Sequence, residues 1–219
     1  MNNCIFIHAA LLDRCEERII QYLTVIKNSK IKYDCIYICY IGNGKIPEID
    51  FTGYNIKTEL LSTELSDYEV PTLQFLYDFC LKNPTSNVLY IHTKNVGKEI
   101  NYCIEDQIEY MLYFLITKWE TCMNHLISCD GCGVDLRNEP TLHFSGNFWW
   151  STANNIITLP SPKEFNDIVK YPNPLNSIRH NQEFWICYNK KQYISLWDCG
   201  INVYERHLHR YPKELYSSL

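Results

Sequence analysis

At 219 residues, with 46% hydrophobic and 21% charged residues, the chain has a globular composition and enough length to bury a substantial core, which excludes a disordered chain. A formal net charge of −5 with no basic run argues against nucleic acid as a partner. Met1-Asn2-Asn3 leads directly into an apolar run with no signal peptide ahead of it, and no stretch reaches the roughly 18 apolar residues of a membrane span, so a cytoplasmic protein without a span is expected.

In chain order, Cys4 to Ala9 reads as a strand, and Leu12 to Ile26 as a helix with Ile19, Ile20, Leu23 and Ile26 at helical spacing. Cys35 to Ile41 is a second strand, stopped by Gly42-Asn43-Gly44. The connection is long enough for a right-handed crossover between parallel strands. Asn55 to Leu61 is a candidate third strand. Pro71 opens a helix whose apolar face is Leu73, Leu76, Tyr77 and Cys80, closed by Asn83-Pro84. Asn87 to Ile91 is an unbroken strand-forming run that delivers His92 and Lys94 to its carboxyl end. A buried helix is expected from about Ile104 to Cys122.

Gly133 to Arg137 reads as a short strand, followed by the aromatic stretch His143 to Thr152 and a further element from Asn155 to Leu159. Pro160, Pro162, Pro172 and Pro174 make the next region loop-rich, with a short helix over Lys163 to Val169. Asn181 to Tyr188 reads as helix, Tyr193 to Trp197 as strand, and Val203 to Tyr216 as a tail. In that tail, residues 204–210 read as a surface helix or as a lid over a ligand. The eleven cysteines are odd in number and lie mainly in apolar runs (Cys35, Cys39, Cys80, Cys187), as small hydrophobes do in a reducing compartment. Cys129-Asp130-Gly131-Cys132 has metal or redox spacing, but no second pair follows, and two thiols at a turn is the plainer reading. The pattern predicts a single domain over 1–219, an α/β fold with a mostly parallel central sheet flanked by helices.

Four places carry candidate chemistry. Lys94, with His92 beside it, can neutralise phosphate at the sheet edge, or it is solvated while His92 caps a turn. In Ser145-Gly146-Asn147-Phe148-Trp149-Trp150, Gly146 permits close approach, Asn147 offers donor and acceptor, and a Trp face suits a sugar or base. On a strand the two Trp residues point to opposite faces, so one at most lines a site. Glu183 is either a helix-start acid or a general base, with Arg179 near it to hold phosphate. Glu69 either caps the helix at Pro71 or contacts a sugar hydroxyl, and the cap is favoured.

Taken in order, Tyr68-Glu69-Val70-Pro71-Thr72-Leu73, Tyr90-Ile91-His92-Thr93-Lys94, Trp119, Phe144 to Trp150, Arg179 and Glu183-Phe184-Trp185 resemble glycosyltransferase-like proteins of bacteria and large DNA viruses. These are distantly similar to the rhamnan-synthesis protein F family, with its HTK-type motif and later Gly-x-Phe-Trp segment, over about residues 4 to 200. The resemblance implies a GT-A-like (Rossmann-like) sheet and transfer of a sugar from a nucleotide-diphosphate donor to a hydroxyl of a glycan or other acceptor; inversion is the expected course, with retention the alternative. On this reading Glu183 is expected as catalytic base, His8, Ala9, His92, Lys94 and Arg179 as donor contacts, and Glu69, Gly146, Asn147, Trp149 and Trp150 as sugar or acceptor contacts. Such enzymes usually end the central strand in an Asp-x-Asp metal clamp. Here His92-Thr93-Lys94 stands in that place, so the Lys94 ammonium, with Arg137 or Arg179, is the expected substitute for a cation. No cofactor is required on this reading. A divalent Mn or Mg remains an alternative, as does a metal shared by His92 with His207 or His209. The alternatives in function are a catalytically inactive carbohydrate- or nucleotide-binding module of the same fold, and a non-enzymatic interaction domain.

Overall fold

The computed structural model describes residues 2–169, 178–202 and 205–217, apart from the side chains of residues 178 and 179. A seven-stranded sheet forms its centre, built from β1 (Asn3–Ala10), β2 (Cys35–Ile41), β3 (Ile56–Ser62), β4 (Asn87–His92), β5 (Gly131–Gly133), β8 (Trp149–Thr152) and β9 (Tyr193–Ser195). The order is β3-β2-β1-β4-β8-β5-β9, and β8 alone runs antiparallel to both of its neighbours. The mostly parallel α/β sheet expected from the sequence is therefore present. β6 (Leu136–Arg137) and β7 (His143–Phe144) pair as a separate small ribbon.

The helices are α1 (Cys15–Ser29), α2 (Val70–Lys82), α3 (Tyr102–Leu112), α4 (Trp119–His125), α5 (Ala153–Ile156), α6 (Pro162–Ile168) and α7 (Ile178–Trp185). They lie on both faces of the sheet because the central strands are apolar on both. In β1, Ile5, Ile7 and Ala9 pack with α1 and α3, whereas Cys4 and Phe6 pack with α2, α6 and α7. β4 divides in the same way, with Leu89 and Ile91 in the first core and Val88 and Tyr90 in the second. Among the described residues, no helix is long and apolar enough to cross a membrane.

Three expectations are corrected. The buried helix from Ile104 to Cys122 is divided: α3 runs into a π turn over Tyr113–Thr117, closed by the Lys118 N–H on the Tyr113 carbonyl at 2.9 Å, and α4 follows. Three consecutive residues span about 200° of an ordinary helix. The wider turn narrows that arc, and Phe114, Leu115 and Ile116 are all buried. The strand over Gly133 to Arg137 is split into β5 and β6 by Asp135, which adopts a left-handed φ of 52°. Helix α1 starts at Cys15 and not at Leu12, because the Arg14 N–H is drawn to the Val96 carbonyl at 3.2 Å. Pro172 and Pro174 lie outside the described residues.

Candidate functional site

β1 and β4 are parallel neighbours with His8 directly opposite His92, so the carboxyl ends of both strands open on the same edge. A cleft of about 1060 Å³ lies over that edge. His8 and His92 share strand parity and project toward the α2 face. Ala9, one residue on, projects into the opposite core and is wholly buried, so its side chain is removed from the candidate donor contacts and Ala10 lines the cleft instead.

Each histidine is tied to the fold. His8 Nδ1 pairs with Thr72 Oγ1 on α2 at 2.8 Å, and burial pushes its pKa down to about 4, so the ring is neutral at pH 7. His92 Nε2 lies 3.0 Å from the Gly146 carbonyl. A carbonyl only accepts, so Nε2 carries the proton. The His92 ring also stands edge-on to Phe148, with centroids 5.0 Å apart.

The floor continues into Thr93, whose hydroxyl accepts the Ala10 N–H at 3.0 Å, and then into Lys94, which lines the cleft in a half-buried position. The following segment carries Lys98, Glu99, Ile100 and Tyr102 along one wall. The tail adds His207 and Arg210 to the same wall, docked by two Arg210 bonds to Asp106 on α3 at 2.6 and 3.0 Å and by the Asn101 amide on the His207 carbonyl at 3.1 Å. The tail is thus a wall of the cleft and not a free surface helix. The exposed rings of Tyr68 and Tyr102 stand at the mouth, the latter beneath the Arg210 guanidinium at 5.5 Å. Such ring faces can stack on a sugar or a base.

The facing wall holds two acids, Glu69 at the start of α2 and Glu183 on α7, both half-buried. Glu69 makes no side-chain cap to α2, against the favoured expectation. Its Oε2 instead accepts from Tyr90 Oη at 2.6 Å and from Asn147 Nδ2 at 2.6 Å. The backbone is bent to this end: Tyr68, just before it, has φ 48° and ψ −133°, a region that non-glycine residues rarely enter. Arg179 lies on α7, but its side chain is outside the described residues.

Trp149 and Trp150 do point to opposite faces, yet both are wholly buried, and neither lines the cleft. Trp149 Nε1 donates to Asn147 Oδ1 at 2.9 Å and Trp150 Nε1 to the Leu115 carbonyl at 2.8 Å. This corrects their assignment as sugar contacts: helices cover the sheet on both sides, so either face of β8 is core. Gly146 and Asn147 are likewise beneath the cleft surface. A Cβ on Gly146, at φ 98°, would come within 2.8 Å of Met111 Sδ, so its close approach is to the core.

Arg137 is engaged elsewhere. It pairs with Asp198 at 2.6 and 2.8 Å and with Asp135 at 3.2 Å, away from the cleft lining. Among the described residues, the group of three metal-ligating side chains within reach of one another is Asp135, Asp198 and Cys199. The two guanidiniums of Arg137 and Arg206 already neutralise its carboxylates, which does not suit a cation. Cys129 and Cys132 do not meet as a ligand pair: Cys129 Sγ turns to the Gly131 carbonyl at 3.5 Å and Cys132 Sγ to the Cys122 carbonyl at 3.9 Å.

Sequence reasoning gave no role to Thr72, Tyr90 or Tyr102, and it reached Arg210 only through the alternative of residues 204–210 as a lid over a ligand. Chemically, the cleft offers Lys94, Lys98 and Arg210 for an anion, two carboxylates on the facing wall for hydroxyls or a proton, and the neutral imidazole of His8 in the floor.

Among solved structures, one from Desulfovibrio desulfuricans G20, provisionally described as a nucleotide-diphospho-sugar transferase, is similar at 8% identity and a TM-score of 0.48, over 90% of this chain and 81% of that one. No curated protein matches. A family model described as "Domain of unknown function (DUF8361)" matches residues 5–193, and the chain belongs to that family.

Proposed function

We propose that this protein is a nucleotide-sugar-dependent glycosyltransferase that moves a sugar from a nucleoside-diphosphate donor to a hydroxyl of a glycan or related acceptor. The observation that carries the reading is the meeting of Lys94, His92 and His8 with Glu69 and Glu183 around one cleft at the carboxyl ends of two parallel strands. The motif resemblance to glycosyltransferase-like proteins points the same way.

In this mechanism the Glu183 carboxylate takes the proton of the acceptor hydroxyl as that oxygen forms its bond to the anomeric carbon. The bond from that carbon to the donor phosphate oxygen breaks, and its electron pair leaves with the nucleoside diphosphate. Attack from the face opposite the leaving group inverts the anomeric centre. The Lys94 ammonium, with Arg210 and His207 on the same wall, stabilises the charge growing on the diphosphate, so no metal is needed for departure. Arg179 is a further candidate for phosphate, and the acidic wall receives the hydroxyl-bearing ring.

The test is a thermal-shift screen of nucleoside diphosphates and their sugars, followed by an assay for diphosphate release with and without chelator. Glu183→Gln is expected to bind donor and to release no diphosphate. Turnover retained by that variant, or release that requires added Mn, refutes the assigned roles. A second reading, a binding module without catalysis, is favoured by one feature: β4 ends in His92-Thr93-Lys94, with no acidic pair to clamp a metal. It predicts a nucleotide-sugar thermal shift with no release by the wild-type protein.

A further inference from the structure

Two distant stretches of chain converge on one carboxylate. Glu69 Oε2 accepts from the hydroxyl of Tyr90 on β4 and from the amide of Asn147 ahead of β8, both at 2.6 Å. The amide is itself oriented: Asn147 Oδ1 is held by the Trp149 indole N–H at 2.9 Å, so Nδ2 must face Glu69. Asn147 takes a left-handed φ of 55°, and Tyr90, Asn147 and Trp149 are all buried.

A buried polar chain of this kind is destabilising unless every member is satisfied, and an apolar pair would fill the same space without that requirement. What the arrangement achieves is to fix a carboxylate at the cleft wall. Oε2 is saturated by its two donors. Oε1 has no hydrogen bond among the described residues and is not one of the buried unpartnered atoms, so it faces the cleft that Glu69 lines.

We propose that Glu69 reads a hydroxyl of the donor sugar through Oε1, with Tyr90 and Asn147 as its positioning residues; this rests on the transferase reading above. A carboxylate repels phosphate, so the diphosphate is directed to Lys94 on the floor and Arg210 on the opposite wall, and the part of the donor left beside Glu69 is the sugar ring. A doubly anchored acceptor at a fixed place discriminates strongly against a ring that lacks the matching hydroxyl, because Oε1 is then desolvated without a partner. The Gly146-Asn147-Phe148-Trp149 stretch thereby serves the sugar without touching it.

The test measures, by titration calorimetry on the full chain, the dissociation constants of each nucleoside diphosphate and of its sugars for wild type, Glu69→Gln and Tyr90→Phe. The quantity read is the gain in affinity that the sugar adds over the bare diphosphate. Both variants are expected to lose about tenfold or more of that gain, while Tyr90→Phe binds the bare diphosphate as wild type does and Glu69→Gln, freed of its charge, binds it no more weakly. A purely structural part for Tyr90 would weaken both ligands together. Variants that keep the gain, or a wild type with no gain, overturn the assignment of Glu69 alone. Failure of the wild type to bind any nucleotide overturns the transferase reading and this inference with it. If Tyr90→Phe does not fold, Glu69→Gln, on the cleft wall, still decides the matter.

Discussion

Replacing Asp135 by Asn removes a charge, and almost no volume, from the most enclosed ionic cluster among the described residues. Asp135 is wholly buried, and its Oδ2 is paired with Arg206 at 2.7 Å and accepts from the Tyr110 hydroxyl. Its Oδ1 accepts the Cys199 N–H at 2.8 Å and lies 3.2 Å from Arg137. Arg206 is only 6% exposed and Arg137 retains Asp198, so the substitution strands chiefly the Arg206 guanidinium. Removing one partner of a buried pair costs about 3–5 kcal/mol. For a chain of this size each kcal/mol moves Tm by about 2–4 °C, which places the expected fall at about 6–20 °C. The control is Arg210→Ala, whose ion pair with Asp106 has its guanidinium side 58% exposed and is screened by solvent, so its loss should be the smaller of the two. Urea denaturation of both variants measures the two losses. If Asp135→Asn lies within about 1 kcal/mol of wild type, the reasoning that the tail is fastened to the bend between β5 and β6 by a buried charge is wrong.

The other predictions concern the core, the cleft and acid stability. Trp150→Phe leaves the Leu115 carbonyl of the π turn without its indole donor and should cost about 1–3 kcal/mol by urea denaturation. Of the eleven free cysteines, Cys103 alone is not buried and it lines the cleft, so mass spectrometry after brief native alkylation should find it labelled first, with nucleotide slowing the reaction. Burial lowers the His8 pKa from 6.5 to about 4. The unfolded chain therefore binds the extra proton first, and the stabilisation present above pH 6.5 is lost as pH falls toward 4, by about 1.4 kcal/mol per unit. His8→Gln should flatten the stability profile in that window.

The parts of the fold legible in the sequence were those fixed by local pattern. β2 has the bounds expected, because an apolar run meets Gly42-Asn43-Gly44, and β1, α2 and β4 lie within a residue or two of expectation for similar reasons. The π turn was illegible because a run apolar on most sides has no period to betray a change of pitch. Arg206 was illegible for another reason. A run of Arg and His reads as solvated surface, and only the distant Asp135 and Tyr110 make its burial tolerable.

The candidate site shows where reading by motif stops. The strand ends were located correctly because parallel strands must open on one edge, and Lys94 does line the cleft. The roles within motifs were not located, because a role depends on partners far along the chain: Glu69 reads as a helix cap until Tyr90, 21 residues on, and Asn147, 78 residues on, are brought against it. The same contacts invert the expected part of the Gly146 to Trp150 stretch. Its carbonyl at Gly146 fixes the tautomer of His92, its Asn147 fixes Glu69, and its two Trp residues brace both cores of the sheet. A short aromatic motif can therefore hold the side chains of a cleft in place while exposing none of its own rings there. Substitutions there should alter affinity through the acids and histidines they hold, not through lost stacking.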